Sequence, residues 1–191
     1  MRQLSRALVI AIVIATWTGC SGSPGGPSTA GATLNVMLKD SPFSDAKALL
    51  VTFSDVSAHA SGGDFKTLPF TGGAATRTCD LKKLTTAQDI LGTGTLAVGH
   101  YTQIRVVVSS AVLYFDNASA GAACAPSIPV PSGRSADINI PSGEVKLNRE
   151  FDVTSSGARS VLIDFDGDQS IKLQGNGTYS MTPVIAIVSV Q

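Results

Sequence analysis

From Thr33 onward, apolar and polar positions alternate with the period of strands. "TLNVMLKD" sets Leu34, Val36 and Leu38 on one side and ends on Asp40, after which Ser41 and Pro42 break the run. "ALLVTFSDVSAHA", rich in β-branched and aromatic residues, follows and closes on the turn "SGGD", so two adjacent strands with a polar link are expected. The longest alternation lies in "LAVGHYTQIRVVVSSAVLYF", where Ile104, Val106 and Val108 point one way and Tyr101, Gln103, Arg105 and Val107 the other. A loop with Cys124 and "APSIPVPSG" leads to "ADINI", then to a predicted hairpin from "EVKLNREFDV" through "TSSGA" to "RSVLIDF". Pro183 in "TYSMTPVIAIVSV" suits an edge position or a strand start.

One segment has helical spacing. "DLKKLTTAQDILG" carries Leu81, Leu84, Ile90 and Leu91, closes on Gly92, and holds Thr85 and Gln88 at the separation of a capping box. Many short strands, glycine-rich turns and one short helix predict an all-β protein, an antiparallel β-sandwich.

The chain before Thr33 has a different character. Arg2 and Arg6 precede an apolar run from Ala7 to Trp17, too short for the ~20 residues of a spanning helix and suited to a signal peptide. "WTGC" resembles the lipobox of bacterial lipoproteins, with Trp17 where leucine is usual, so lipidation at Cys20 is expected. Ser21 lacks the aspartate associated with inner-membrane retention, which favours the outer membrane. "SGSPGGPSTAGA" cannot bury surface to offset its ordering entropy and reads as a tether. The expected organisation is residues 1–19 as a lipoprotein signal peptide, 20–32 as lipidated cysteine and tether, and 33–191 as the folded domain.

Composition narrows the classes. Loss of the leader removes Arg2 and Arg6, so 14 basic residues become 12 against 14 acidic ones, and the resulting charge of minus two argues against nucleic acid. Of three cysteines, Cys79 and Cys124 remain once Cys20 is assigned to the lipid. In an oxidising compartment that even pair predicts a disulfide; zinc is the alternative, with only His59 and His100 as imidazoles and neither at ligand spacing from a cysteine.

The stretches "LKDSPFSDAKALLVTFSDVSAH", "CDLKKLTTAQDILG", "LAVGHYTQIRVVV", "IPSG", "LIDFDGDQSI" and "YSMTPVI" together resemble the bacterial exported domain DUF4382, often found on lipoproteins. The resemblance implies a sandwich of the transthyretin or prealbumin type. It brings no established activity and no catalytic residues, and fold analogy supplies none.

Candidate chemistry centres on "DFDGD". Asp164 and Asp166 leave one strand face about 7 Å apart and, with Asp168, could share calcium, although the EF-hand places counted from Asp164 hold Gln169, Lys172 and Gly175. A structural reading has Arg105 meeting Asp164 or Asp166, with Asp40 as a third acid, in an ion-pair cluster closing one end of the sandwich. The carboxylate spacing also meets the glycosidase condition of about 5 to 9.5 Å, but no tryptophan outside the leader offers a sugar platform and no G-x-S-x-G occurs. Tyr101, Tyr114, Phe115 and Tyr179 read either as a binding surface or as core and cross-strand pairs.

The expected function is that of a non-catalytic envelope lipoprotein, a binding or structural module anchored to the membrane through Cys20 and facing an envelope protein or glycan. A calcium-stabilised carbohydrate or peptide binder, and a secreted hydrolase using the paired aspartates, are the alternatives.

Overall fold

In the computed structural model, which describes residues 30–41, 45–155 and 157–191, the alternating segments become strands. In chain order they are β1 (Gly31–Ser41), β2 (Ala48–Ala60), β3 (Phe65–Thr67), β4 (Arg77–Asp80), β5 (Asp89–Ala97), β6 (Gly99–Tyr114) and β7 (Cys124–Ala125). They continue as β8 (Ser135–Asn139), β9 (Glu144–Val153), β10 (Ala158–Asp166), β11 (Ile171–Leu173), β12 (Tyr179–Met181) and β13 (Ile185–Val190). The expected signal peptide, the expected lipidation at Cys20 and the expected tether up to residue 29 lie outside the described residues. Strand β1 takes in Gly31 and Ala32, two residues that the sequence assigned to the tether.

The strands form two layers. One sheet has the order β13-β10-β1-β5; the other runs β11-β12-β8-β6-β2-β4-β7, with β3 on β2 and β9 on β6. The phase of β1 turns Leu34, Val36 and Leu38 inward beside Val161, Ile163 and Phe165 of β10, all six fully buried. The facing layer contributes Leu49, Val51, Phe53 and Val56 from β2 and Ile104, Val106 and Val108 from β6. Phe53 meets Phe165 edge to face across the layers at 6.5 Å. Each such side chain stabilises the fold by about 1.5 to 3 kcal/mol relative to exposure, so the sandwich is held by its filling.

The all-β sandwich is as expected, but it is not wholly antiparallel. β1 runs parallel to β10, and β8 parallel to β12. The reason is topological: β9 ends with Val153 opposite Gly99, at the end of the sandwich where β1 begins, so β10 starts there and runs the same way as β1. The predicted hairpin between the β9 and β10 segments therefore does not form; β9 pairs with β6 in the other layer. The first two strands likewise lie in opposite layers instead of side by side.

The helix expected over residues 80–92 is also replaced. Leu81–Lys83 form a single 3-10 turn, and the "DILG" part belongs to β5, antiparallel to β1. Leu81, Leu84 and Leu91 are buried as expected for apolar residues, but the run "GTGT" behind Leu91 is extended, and a Cβ on Gly92 would stand 2.9 Å from the Leu68 carbonyl. A bare backbone at Gly92 lets the segment after β3 lie directly over the sheet. The one α-helix among the described residues is instead Gly167–Ser170, inside the aspartate motif.

Tyr101 departs from the face assigned to it. A register shift in the β6–β9 ladder between Tyr101 and Gln103 turns the ring inward. It stacks on Phe151 at 5.4 Å, and its hydroxyl donates to the Ala97 carbonyl at 3.1 Å, tying the corner where the chain passes from one sheet to the other.

Candidate functional site

The end of the sandwich where β1 and β10 finish together gathers the motif's acids. Their register sets Lys39 opposite Asp164, Asp40 opposite Phe165 and Ser41 opposite Asp166. Asp164 lies on the outer face, 2.7 Å from the Lys39 ammonium, and accepts from the Ser41 hydroxyl at 3.3 Å. Asp166 is the N-cap of the four-residue helix α1 (Gly167–Ser170): one oxygen accepts from the Gln169 amide at 2.9 Å, the other from its side chain. Asp168 stands exposed in that first turn. Ser170, buried, donates to the Asp166 carbonyl and accepts from the Val184 amide, which fixes the turn against the approach to β13.

These three carboxylates thus do three different things, and they do not converge. Among the described residues, no group of three or more histidine, cysteine or acidic side chains is arranged to hold a metal ion. The proposed calcium ligands Asp164, Asp166 and Asp168 are separated because the helix begins at Gly167 and carries Asp168 away from the strand face. The acids Asp164 and Asp166 suggested for glycoside chemistry are engaged by Lys39 and by the helix cap.

The cluster joining Arg105 to Asp40, Asp164 and Asp166 does not form. Arg105 sits on β6, on the outer surface of the larger sheet, where it donates to Asp55 at 3.3 Å and to the Ser57 hydroxyl at 3.2 Å, with Glu144 at 3.8 Å. Its guanidinium lies 4.2 Å from the centre of the Phe65 ring. Strand β6 belongs to the layer opposite β10, and its outward face cannot meet an acid on the outer face of the other sheet.

Asp40 is the unusual member of this end. It continues the inward phase of Leu34, Val36 and Leu38, is only 4% exposed, and neither of its oxygens has a hydrogen-bond partner among the described residues. Burial pushes its carboxyl from 3.8 up to about 8, and the charges of Asp164 and Asp166 push the same way. Lys82 opposes them, and so, weakly, does the Gly167 amide, which faces the carboxyl outside hydrogen-bonding geometry. The Asp40 amide donates to the Leu84 carbonyl at 3.2 Å, so the 3-10 turn after β4 closes over this strand end.

A second buried acid escaped the sequence reading. Asp80, 1% exposed, accepts from the Leu49 amide, the Lys82 amide and the Ser119 hydroxyl at 3.1, 3.2 and 2.6 Å. It joins β2, the 3-10 turn and the loop after β6. Its neighbour Cys79 is bonded to Cys124 directly across the β4–β7 pair. The disulfide is therefore present, and zinc is excluded as the partner of these thiols. His59 and His100 are elsewhere, bonded to Thr102 and Asp152.

Of the aromatic residues, Tyr101 and Tyr114 are buried. Phe115 and Tyr179 are only partly buried and meet each other at 6.0 Å.

The class defined by this architecture is a two-layer, disulfide-linked β-sandwich with polar residues grouped at one end. Over residues 31–183 the chain matches the family described as "Domain of unknown function (DUF4382)", and it belongs to that family. No curated protein and no solved structure matches the chain.

Proposed function

We propose that this protein is a lipid-anchored component of the cell envelope whose sandwich acts as a non-catalytic binding or structural module. The observation that carries the reading is the "WTGC" stretch behind a short apolar run and ahead of an uncharged glycine- and serine-rich segment. Two features support it. The Cys79–Cys124 disulfide suits an oxidising compartment and leaves Cys20 as the remaining cysteine. The paired acids that a hydrolase would need are engaged in an ion pair and a helix cap. Absence of the retention aspartate after Cys20 favours the outer membrane. A lipid chain and the tether then present the domain to an envelope protein or a glycan.

The test is fractionation of cells expressing the parent and Cys20→Ala. The parent partitions with the outer membrane and carries an acylated N-terminal cysteine by mass spectrometry, while the variant is soluble or retains its leader unacylated. A Cys20→Ala chain that is cleaved normally and still fractionates with the membrane overturns the anchor.

A further inference from the structure

Phe115, Arg134 and Tyr179 come from three distant parts of the chain and meet around a surface cavity of about 590 Å³, which Asp45 and Ser135 also line. Phe115 directly follows β6, Arg134 directly precedes β8, and Tyr179 opens β12 behind the turn at Gly177. The two rings are tilted by 37° with centres 6.0 Å apart, and the Arg134 guanidinium carbon lies 5.9 Å from the Phe115 ring centre.

The arginine is exposed yet fixed. Its side chain is 79% exposed, but its Nε and Nη2 donate to one oxygen of Asp116 at 3.1 and 2.8 Å, while its backbone amide donates to the other at 2.7 Å. The backbone is shaped for this: Gly133 has φ +102°, and a Cβ there would stand 2.7 Å from Asp116. The Phe115 amide donates to the Arg134 carbonyl at 3.0 Å, which sets the ring and the guanidinium side by side. An exposed arginine ordinarily loses such order to side-chain entropy; here the order leaves a rigid fork beside an aromatic surface.

The chemistry of that surface selects a ligand class. Beyond the two N–H groups taken by Asp116, the guanidinium has three more, and the Asp116 carboxylate beside them retains acceptor capacity. Donors and acceptors therefore stand side by side with their charges already balanced. Vicinal hydroxyl groups, each able to donate and accept, suit such a fork, and the C–H face of a pyranose suits the rings.

We propose that the Phe115–Tyr179–Arg134 cavity is a binding site for a neutral sugar unit of a glycan. The sugar lays its C–H face on the Phe115 and Tyr179 rings and places two adjacent hydroxyls on the Arg134–Asp116 pair. This deepens the reading of a non-catalytic binding module and rests on it, but not on the lipid anchor.

The experiment is saturation-transfer NMR on the full-length chain in detergent, with maltohexaose, cellohexaose and xylohexaose as neutral probes. An oligogalacturonate and a proline-rich peptide are the competing arms. Transfer to the C–H protons of at least one neutral oligosaccharide is expected, weakened at least about tenfold in Tyr179→Ala and in Arg134→Met and kept in Tyr179→Phe. Unchanged urea midpoints of the variants show that the site and not the fold was lost; a variant that unfolds is replaced by Phe115→Leu. No transfer from any neutral probe at about 10 mM, binding confined to the anionic oligomer or the peptide, or equal binding by parent and folded variants each overturns the site. Cys20→Ala separates the two proposals, because it abolishes anchoring while glycan transfer persists.

Discussion

Replacing Asp40 with asparagine inverts the usual expectation that loss of a native acid destabilises. In the folded chain the carboxyl titrates at about 8, against 3.8 when free. Between those values the unfolded state has released the proton and the folded state has kept it, so stability falls as pH rises. The contribution is fully present below 3.8, is lost progressively across the window and is gone above about 8. The distance between the two values, at about 1.4 kcal/mol for each pH unit, sets a ceiling of about 6 kcal/mol. The value of about 8 already contains the opposing charge of Lys82; water entering at the strand end takes up part of the rest, leaving about 2 to 3 kcal/mol. The charges of Asp164 and Asp166 act on the same carboxyl, so the parent is compared with a variant that changes Asp40 alone. The difference between parent and Asp40→Asn isolates the one group. Urea unfolding at half-unit steps from pH 5 to 9, with the disulfide intact, should show the two chains closest at the acid end and the variant the more stable by about 2 to 3 kcal/mol at the alkaline end. A difference that stays flat across that range, or a variant less stable throughout, refutes an uncompensated buried carboxyl at this position.

Other expectations follow from the same contacts. Cys79→Ser/Cys124→Ser opens a loop of 45 residues and should cost about 4 kcal/mol in the chain-entropy model, read as a lower urea midpoint that added reductant reproduces in the parent. Gly92→Val forces a side chain against the Leu68 carbonyl and should cost about 1 to 3 kcal/mol, measured by thermal unfolding. Asp80→Ala leaves the buried Leu49 amide without its acceptor and should cost about 1 to 3 kcal/mol, whereas Asp164→Asn, which breaks only the partly exposed pair with Lys39, should stay within about 1 kcal/mol. Millimolar calcium should leave the melting midpoint of the parent unchanged, and a rise that disappears in Asp164→Asn/Asp166→Asn would restore the metal reading.

The strands were legible because their alternation is regular where it matters: Leu34, Val36 and Leu38 announce an inward face, and β6 repeats the pattern from Ile104 to Val108. Partnership was not legible. β1 and β2 follow each other in the chain yet lie in opposite layers, and nothing local to "EVKLNREFDV" tells that its partner is β6 instead of the segment that follows. The false helix arose because Leu81, Leu84, Ile90 and Leu91 fit a helical face while the glycines behind them serve a close chain crossing that only the fold reveals. Likewise, "DFDGD" has strand spacing for its first two acids, but Gly167 starts a helix that Asp166 caps. The signal for Asp40 was present in its phase, two residues beyond Leu38 on the buried side. Phe115 and Tyr179 are among the candidate binding aromatics, but nothing local shows that these two meet, since they are 64 residues apart in the chain. Arg105 was assigned acids from the wrong layer because an arginine's partners depend on which sheets face each other.

The position of β1 has a mechanical consequence. It is an inner strand, bonded to β5 on one side and β10 on the other, and its first residue is the point at which the preceding chain joins the sandwich. If the N-terminus is held at a membrane as proposed, a force transmitted from it would pull along the axis of β1, and resistance from a ligand at the proposed Phe115 site would pull the opposite way. Ladder bonds lie across a strand, more squarely in the antiparallel partner than in the parallel one, so this load shears many of them together instead of peeling them one by one. The geometry is that of a seam stitched on both edges, which yields only when both rows of bonds let go.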